Sequence, residues 1–177
     1  FSPDGKFLAA GLEEGNIKIL HVPSLKEYKT FHSPREQPVA WLSFSPAGKF
    51  LVFSSDPSDI AIASIESGKV QKICDEHEQL PEFVCFSKQT CKMFISCAYK
   101  EHCIKVWEYN QKTGLWEVNE NGNLILRHPN GFKVKVVRAS FNCDETNIIA
   151  IANNCIFCWE TQTRTLINSS ANDFFTD

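Results

Sequence analysis

The sequence predicts an all-β fold of repeated four-stranded antiparallel sheets, and three observations carry that prediction. Phe1, Phe44, Phe86 and Phe141 open similar segments, FSPDGKFLAAG, FSPAGKFLVFS, FSKQTCKMFIS and FNCDETNIIAI, at steps of 43, 42 and 55 residues. About 16 to 21 residues after each anchor comes an apolar-alternating run. Two of those runs contain a Trp-acid pair, Trp107-Glu108 and Trp159-Glu160. A period of about 40 to 45 residues with such a dipeptide marks a β-propeller blade, a sheet that cannot bury its faces alone and must stack on neighbours.

The elements follow in order within each repeat. Lys6 to Gly11, Lys49 to Ser54, Lys92 to Cys97 and Asn147 to Ala152 are short apolar runs bounded by polar residues, and each reads as a buried middle strand. Glu13 to Asn16, Asp56 to Asp59, Tyr99 to His102 and Asn153-Asn154 turn the chain, because Gly, Asn, Asp and Pro tolerate or preset tight-turn dihedrals. The next strands begin at Ile17, Ile60, Ile104 and Ile156, and Pro23-Ser24-Leu25, Glu66-Ser67-Gly68 and Gln162-Thr163-Arg164 lead to the outermost strands. No helical pattern of comparable quality is present.

These signals divide the chain into a partial blade at 1–31, a blade at 32–74, a blade at 75–127, and a blade at 132–177 whose outer strand is expected to be incomplete or frayed. The third repeat is longer than its neighbours by 12 to 13 residues, a rim insertion at about 110–131. Its strand-like runs Leu115 to Val118 and Leu124 to Leu126 flank the turn Asn119 to Asn123. They fit either an extra hairpin, often near a binding face in repeat proteins, or an extension of the blade's outer edge. With about four blades and an opening inside a motif, the chain is read as an internal fragment of a longer protein. Made alone, such a fragment is expected to expose unpaired blade faces.

Composition narrows the function classes. A net charge of -3 argues against wholesale nucleic-acid binding. No apolar run approaches the roughly 18 to 20 residues of a membrane helix. Of eight cysteines, Cys85, Cys97, Cys103, Cys155 and Cys158 sit in predicted strands among apolar neighbours, where a reduced thiol behaves as a small hydrophobe. Cys155 and Cys158 have metal-knuckle spacing, but strand residues three apart point to opposite faces, and no second such pair exists. The five histidines are scattered, and the glycines fall singly in turns. No nucleophile-base pair or phosphate loop stands at usable spacing, so no catalytic residue, cofactor or metal site is expected.

Three features are candidates for binding. Asp75, Glu76 and Glu78 with Glu82 place four carboxylates within eight residues in the loop entering the third repeat, which would attract a basic partner or simply be solvated. Arg127, His128, Lys133, Lys135 and Arg138 form a basic stretch in which Lys133 and Lys135 alternate with Val134 and Val136. Such a strand would touch phosphates or acidic protein, or discourage edge-to-edge aggregation. Trp41, on the predicted innermost strand before Phe44, is either a binding anchor or packing between blades.

The blade period, the strand pattern and the Trp-acid pairs resemble the WD-repeat family of β-propellers over nearly the whole chain. In that family a His, an Asp, a Ser or Thr and the Trp form a buried tetrad that braces each blade. The resemblance assigns His77, nine residues before Phe86, to the His position and Trp107 to the Trp position, with Glu101 where the turn Asp would stand and Trp159 as the second blade Trp. It implies about seven blades in the complete disc, a non-catalytic scaffold for protein partners, and a reducing intracellular setting, cytoplasmic before nuclear. It also puts the acidic loop on the face where such proteins usually bind. GNIKILHV followed by FSPAGKFLVFSS is similar to the degenerate C-terminal propellers of the apoptotic protease-activating factor group, nucleotide-switch ATPases whose propellers sense a small basic protein, cytochrome c. A WD-repeat subunit of a ribosome-assembly or other ribonucleoprotein complex is the alternative, with the basic Arg127 to Arg138 stretch and the rim insertion as contacts. Vesicle-coat, cytoskeletal and ubiquitin-ligase adaptors share the same scaffold role.

Overall fold

The computed structural model describes residues 1–74, 77–90, 92–98, 101–125, 136, 138–152 and 155–171. Among them lie fifteen strands and no helix. Strands β1 (Phe7–Gly11), β2 (Asn16–His21) and β3 (Glu27–His32) form a three-stranded sheet, the first blade, and by their offsets from the anchor Phe1 they match the second to fourth strands of the other blades. The second blade is β4 (Val39–Phe44), β5 (Phe50–Ser55), β6 (Asp59–Ser64) and β7 (Val70–Cys74). The third is β8 (Pro81–Phe86), β9 (Met93–Ala98), β10 (Cys103–Asn110) and β11 (Leu115–Ile125). The fourth is β12 (Arg138–Phe141), β13 (Asn147–Ala152), β14 (Cys155–Glu160) and β15 (Leu166–Ala171). Every pairing is between sequential neighbours and antiparallel.

The blades stack face on face in chain order. One apolar cluster joins the first and second blades through Ile17, Ile19 and Phe31 against Leu51, Phe53 and Ala63. A second joins the second and third through Val52, Ile60 and Ile62 against Phe94, Trp107 and Trp116. A third joins the third and fourth through Ile95, Ile104 and Val106 against Ile148, Phe157 and Trp159. Burial along a strand therefore reads out its place in the stack. In β5 and β6, covered on both faces, nearly every residue is buried, whereas β13 alternates buried and exposed. On the uncovered face of the fourth blade Ile149, Ile151 and Ile156 are 38, 48 and 43% exposed.

Antiparallel order also fixes two ends. Turns between first and second strands and between third and fourth strands gather at one end, here the turn end. Second-to-third turns and the connections between blades gather at the other, the loop end. At the turn end the backbone needs a left-handed residue: Gly5 and Gly48 supply it in the first two blades with φ of +71° and +67°. In the fourth blade Glu145 takes that conformation at +59°.

The described part of the rim insertion is one long strand. β11 pairs with β10 at both ends, Leu115 opposite Asn110 and Ile125 opposite Cys103, with the register jumping between Trp107–Val118 and Lys105–Asn123. The two strand-like runs are thus segments of the blade's outer edge separated by a bulge, in place of a separate hairpin. The outer strand of the fourth blade, expected to be incomplete, pairs with β14 over Leu166 to Ala171.

Candidate functional site

The third blade ties its loop end to its sheet through a chain of buried polar groups. The Trp107 indole Nε1 donates to the Ser96 hydroxyl at 2.7 Å, and the same hydroxyl meets His77 Nε2 at 2.7 Å. His77 Nδ1 lies 2.7 Å from Glu101 Oε2, and Glu101 Oε1 accepts the backbone N–H of Glu78 at 2.7 Å. With Nδ1 protonated, every member finds a partner: Ser96 accepts from Trp107 and donates to His77, which donates to Glu101. Phe94 stacks on the Trp107 ring at 5.6 Å and 7°. Burial raises the Glu101 carboxyl, but the hydrogen bonds from His77 and the Glu78 amide outweigh it and hold the group below its ordinary value.

The second blade makes the same connection with different chemistry. Arg35, nine residues before Phe44 as His77 is before Phe86, ion-pairs with Asp59 at 3.2 Å, and Lys72 approaches the other carboxylate oxygen at 3.0 Å. Asp59 is fully buried. The registers superpose Leu51–Ala63 on Phe94–Trp107 and Leu42–Phe53 on Val84–Ser96, so Phe53 stands in the place of Ser96 and Ala63 in that of Trp107. A large and a small residue have exchanged positions, and the polar chain is replaced by apolar packing.

The innermost strands carry the most distinctive surface. Trp41, Phe83 and Arg138 each lie three residues before an anchor Phe, on β4, β8 and β12. The Trp41 and Phe83 rings are 5.4 Å apart, and the Arg138 guanidinium lies 5.4 Å from the first and 5.6 Å from the second. Arg138 is exposed, Trp41 half-buried and Phe83 buried, so the cation caps an aromatic pair shared by three blades. Trp41 is both inter-blade packing and a surface aromatic.

Of the predicted acidic loop, Glu78 and Glu82 are described and exposed, Glu82 sitting in the bulge that shifts the β8–β9 register. Burial, with the Glu82 charge as the next cause, pushes the Cys97 thiol up to about 12, a value that leaves it a neutral hydrophobe. Cys155 is buried and Cys158 half-exposed on alternate faces of β14, and both are free thiols. Asp75, Glu76, Lys133 and Lys135 lie outside the described residues. With Glu13, Glu14, Glu36 and Asp56 also exposed, the described loop end is acidic, partly offset by Arg35, Lys72 and Arg138. Trp159 is buried on the face toward the third blade, stacked on Phe157, with Ala150 at the Ser96 position.

Sequence reasoning did not single out Ser96, Phe83 or the Arg35–Asp59 pair. Ser96 is hidden inside an apolar run. The other three were within reach, because their offsets from the anchor phenylalanines repeat from blade to blade.

At the opposite end the fourth blade reaches back to the third. The Glu145 carboxylate, 9% exposed, accepts hydrogen bonds from Ser87 Oγ at 2.5 Å, the Gln89 amide at 2.8 Å and the Lys88 amide. Arg164, whose side chain is 7% exposed, bonds Glu108 at 2.5 Å. Among the described residues no group of three or more His, Cys, Asp or Glu side chains could hold a metal ion, and no helix is long and apolar enough to cross a membrane.

No protein-family model matches the chain. Among solved structures it is similar to the β-propeller domain of Cps50 (Swd1) from Myceliophteria thermophila, with a TM-score of 0.79 at 13% identity, over 97% of this chain and 54% of that one. The chain thus spans about half the length of that domain. Four sequential sheets stacked face to face, together with this likeness, identify the fold as a β-propeller, present here as an incomplete set of blades.

Proposed function

We infer that the chain is part of a non-catalytic protein-interaction platform of the WD-repeat type, with its contact surface at the loop end. The observation that carries this reading is the Trp41–Phe83–Arg138 cluster, in which three consecutive innermost strands present aromatic and guanidinium groups at one level. Trp and Arg are the side chains most enriched at binding hot spots, and a braced sheet holds them without an ordering cost at association. Exposed Glu78 and Glu82 beside the cluster suit a partner segment that is basic with an apolar residue. The hydrogen-bonded relay from Trp107 to Glu101 supports the WD-repeat assignment, with Glu in the place of the turn Asp. It also commits both ring nitrogens of His77 to structure, away from proton transfer. Cys97 and Cys155, buried among apolar residues, act as small hydrophobes, which suits a reducing, cytoplasmic setting.

The test is affinity capture of the full-length protein from cell lysate, with and without nuclease, comparing wild type with Glu78→Lys/Glu82→Lys and with Arg138→Glu. Loss of the same nuclease-resistant proteins in both variants is the expected result. If every partner stays bound, the loop end is not the contact surface. Nuclease-sensitive recovery of ribosomal or RNA-processing factors moves the assignment to a ribonucleoprotein complex, and recovery of a small basic protein with proteases moves it to an apoptosome-like sensor.

A further inference from the structure

At the turn end, left-handed backbone is supplied mostly by glycine: Gly5 and Gly48 in first-to-second-strand turns, Gly68 and Gly114 in third-to-fourth-strand turns. A side chain is disfavoured in that conformation, because its Cβ crowds the following carbonyl. Three residues of these turns adopt it without being glycine, Leu25, Glu145 and Arg164, with φ of +54°, +59° and +60°. Leu25 turns its side chain to solvent, 61% exposed. Glu145 and Arg164 both belong to the fourth blade, and both side chains are buried against the third.

The two side chains grip the third blade at separate points. The Glu145 carboxylate accepts from Ser87 Oγ at 2.5 Å, from the Gln89 amide at 2.8 Å and from the Lys88 amide. Arg164 Nη2 donates to Glu108 Oε1 at 2.5 Å and to Met93 Sδ at 3.4 Å, two residues paired across β9 and β10. The apolar seam between these blades holds by buried area and prefers no direction. Hydrogen bonds prefer particular lengths and angles, so the two grips set how far the fourth sheet slides and tilts on the third. That placement carries to the loop end along β12, a strand of four residues that spans about 10 Å. Arg138 opens β12, and the turn of Glu145 follows its end.

We propose that Glu145 and Arg164 are positioning residues: by fixing the fourth blade to the third at the turn end, they set the height and tilt at which β12 presents Arg138 to Trp41 and Phe83. The guanidinium lies 5.4 and 5.6 Å from the two rings, which belong to other blades, so its stacking depends on how the sheets are placed. Left-handed backbone at both fourth-blade turns is the cost of that placement. The positioning stands on geometry alone, and its functional meaning rests on the loop-end reading above.

The test is the Arg138 δ-methylene resonance in full-length protein labelled with ¹³C-arginine, assigned by its loss in Arg138→Lys. In the wild type the faces of Trp41 and Phe83 are expected to shift it upfield. Glu145→Gly combined with Arg164→Gly gives both turns the residue that other blades use, and is expected to move the resonance toward that of a solvent-exposed arginine. Each single glycine variant is expected to move it less, and the singles decide the matter if the double variant fails to fold. Lys29→Ala removes a grip of the first blade on the second, at Ile65 O and Glu66 O with distances of 2.6 and 3.1 Å, and is expected to leave the resonance in place. An unmoved resonance in the folded glycine variants overturns the proposal, as does an equal shift in Lys29→Ala. Affinity capture with the same variants separates the two readings: a moved resonance with every partner still recovered keeps the positioning and refutes the loop-end surface.

Discussion

The second and third blades solve one mechanical problem in two ways. Each must fasten the connection entering the blade to the turn between its second and third strands. The third blade runs a neutral and charged relay from Trp107 through Ser96 and His77 to Glu101. The second uses the Arg35–Asp59 ion pair and fills the relay's space with Phe53 and Ala63. The fold depends on the fastening and on filled volume, and not on one set of atoms. A half-complete relay would be worse than either solution, since a buried donor without an acceptor costs more than a hydrogen bond gains. The second blade has changed both residues, whereas the fourth keeps Trp159 with Ala150 at the Ser96 position.

The largest predicted effect comes from breaking the relay at its most buried member. Trp107→Ala removes a fully buried ring stacked on Phe94 and is expected to cost about 3–5 kcal/mol in denaturant unfolding. Rebuilding the second blade's answer in the third, with Ser96→Phe, His77→Arg and Glu101→Asp added to Trp107→Ala, is expected to recover about 1 kcal/mol or more through refilled volume. A rebuilt variant no more stable than Trp107→Ala alone would refute the exchange of large and small residues as compensation.

A smaller effect is expected in the second blade, where both cations are partly exposed, Arg35 at 43% and Lys72 at 33%. Arg35→Met leaves Asp59 with Lys72 still at hand, and a loss of about 1–2 kcal/mol follows. In a double-mutant cycle with Asp59→Asn, the two losses should fall short of additive by about 1 kcal/mol. Strict additivity would mean that the pair contributes no coupling.

The smallest effect sharpens the contrast through pH. Because the folded Glu101 carboxyl lies below its ordinary value of 4.5, its contribution is present above that value and lost as pH falls through the folded pKa. Unfolding measured across the acid range should show wild-type stability declining below about pH 4.5, with a shallower slope in Glu101→Gln. Identical slopes would show that the acid response arises elsewhere.

Much of this architecture was legible in the sequence, because repetition averages out local ambiguity. The anchors Phe1, Phe44, Phe86 and Phe141 and their turn residues located the strands, and the resemblance to WD repeats pointed to His77 and Trp107 as members of the relay. What stayed hidden depends on contacts between repeats. Ser96 in MFISCA reads as an interruption of an apolar strand until the indole opposite it is known. Arg138 and Trp41 belong to different blades, and only their shared offset of three residues before an anchor hints that they meet. The bulge in β11 looked like a turn between two strands because Asn119 to Asn123 has turn composition, and pairing with β10 overrode that local preference.

The grip of Glu145 on the neighbouring turn has a consequence for hydrogen exchange. The Lys88 and Gln89 amides sit in a surface turn, where exchange with solvent would ordinarily be fast, yet they are occupied by a carboxylate from the fourth blade. Their protons can leave only when the fourth blade parts from the third. Two amides of one blade thus act as a gauge of its separation from the next, and their exchange rate measures how firmly adjacent sheets of the disc hold together.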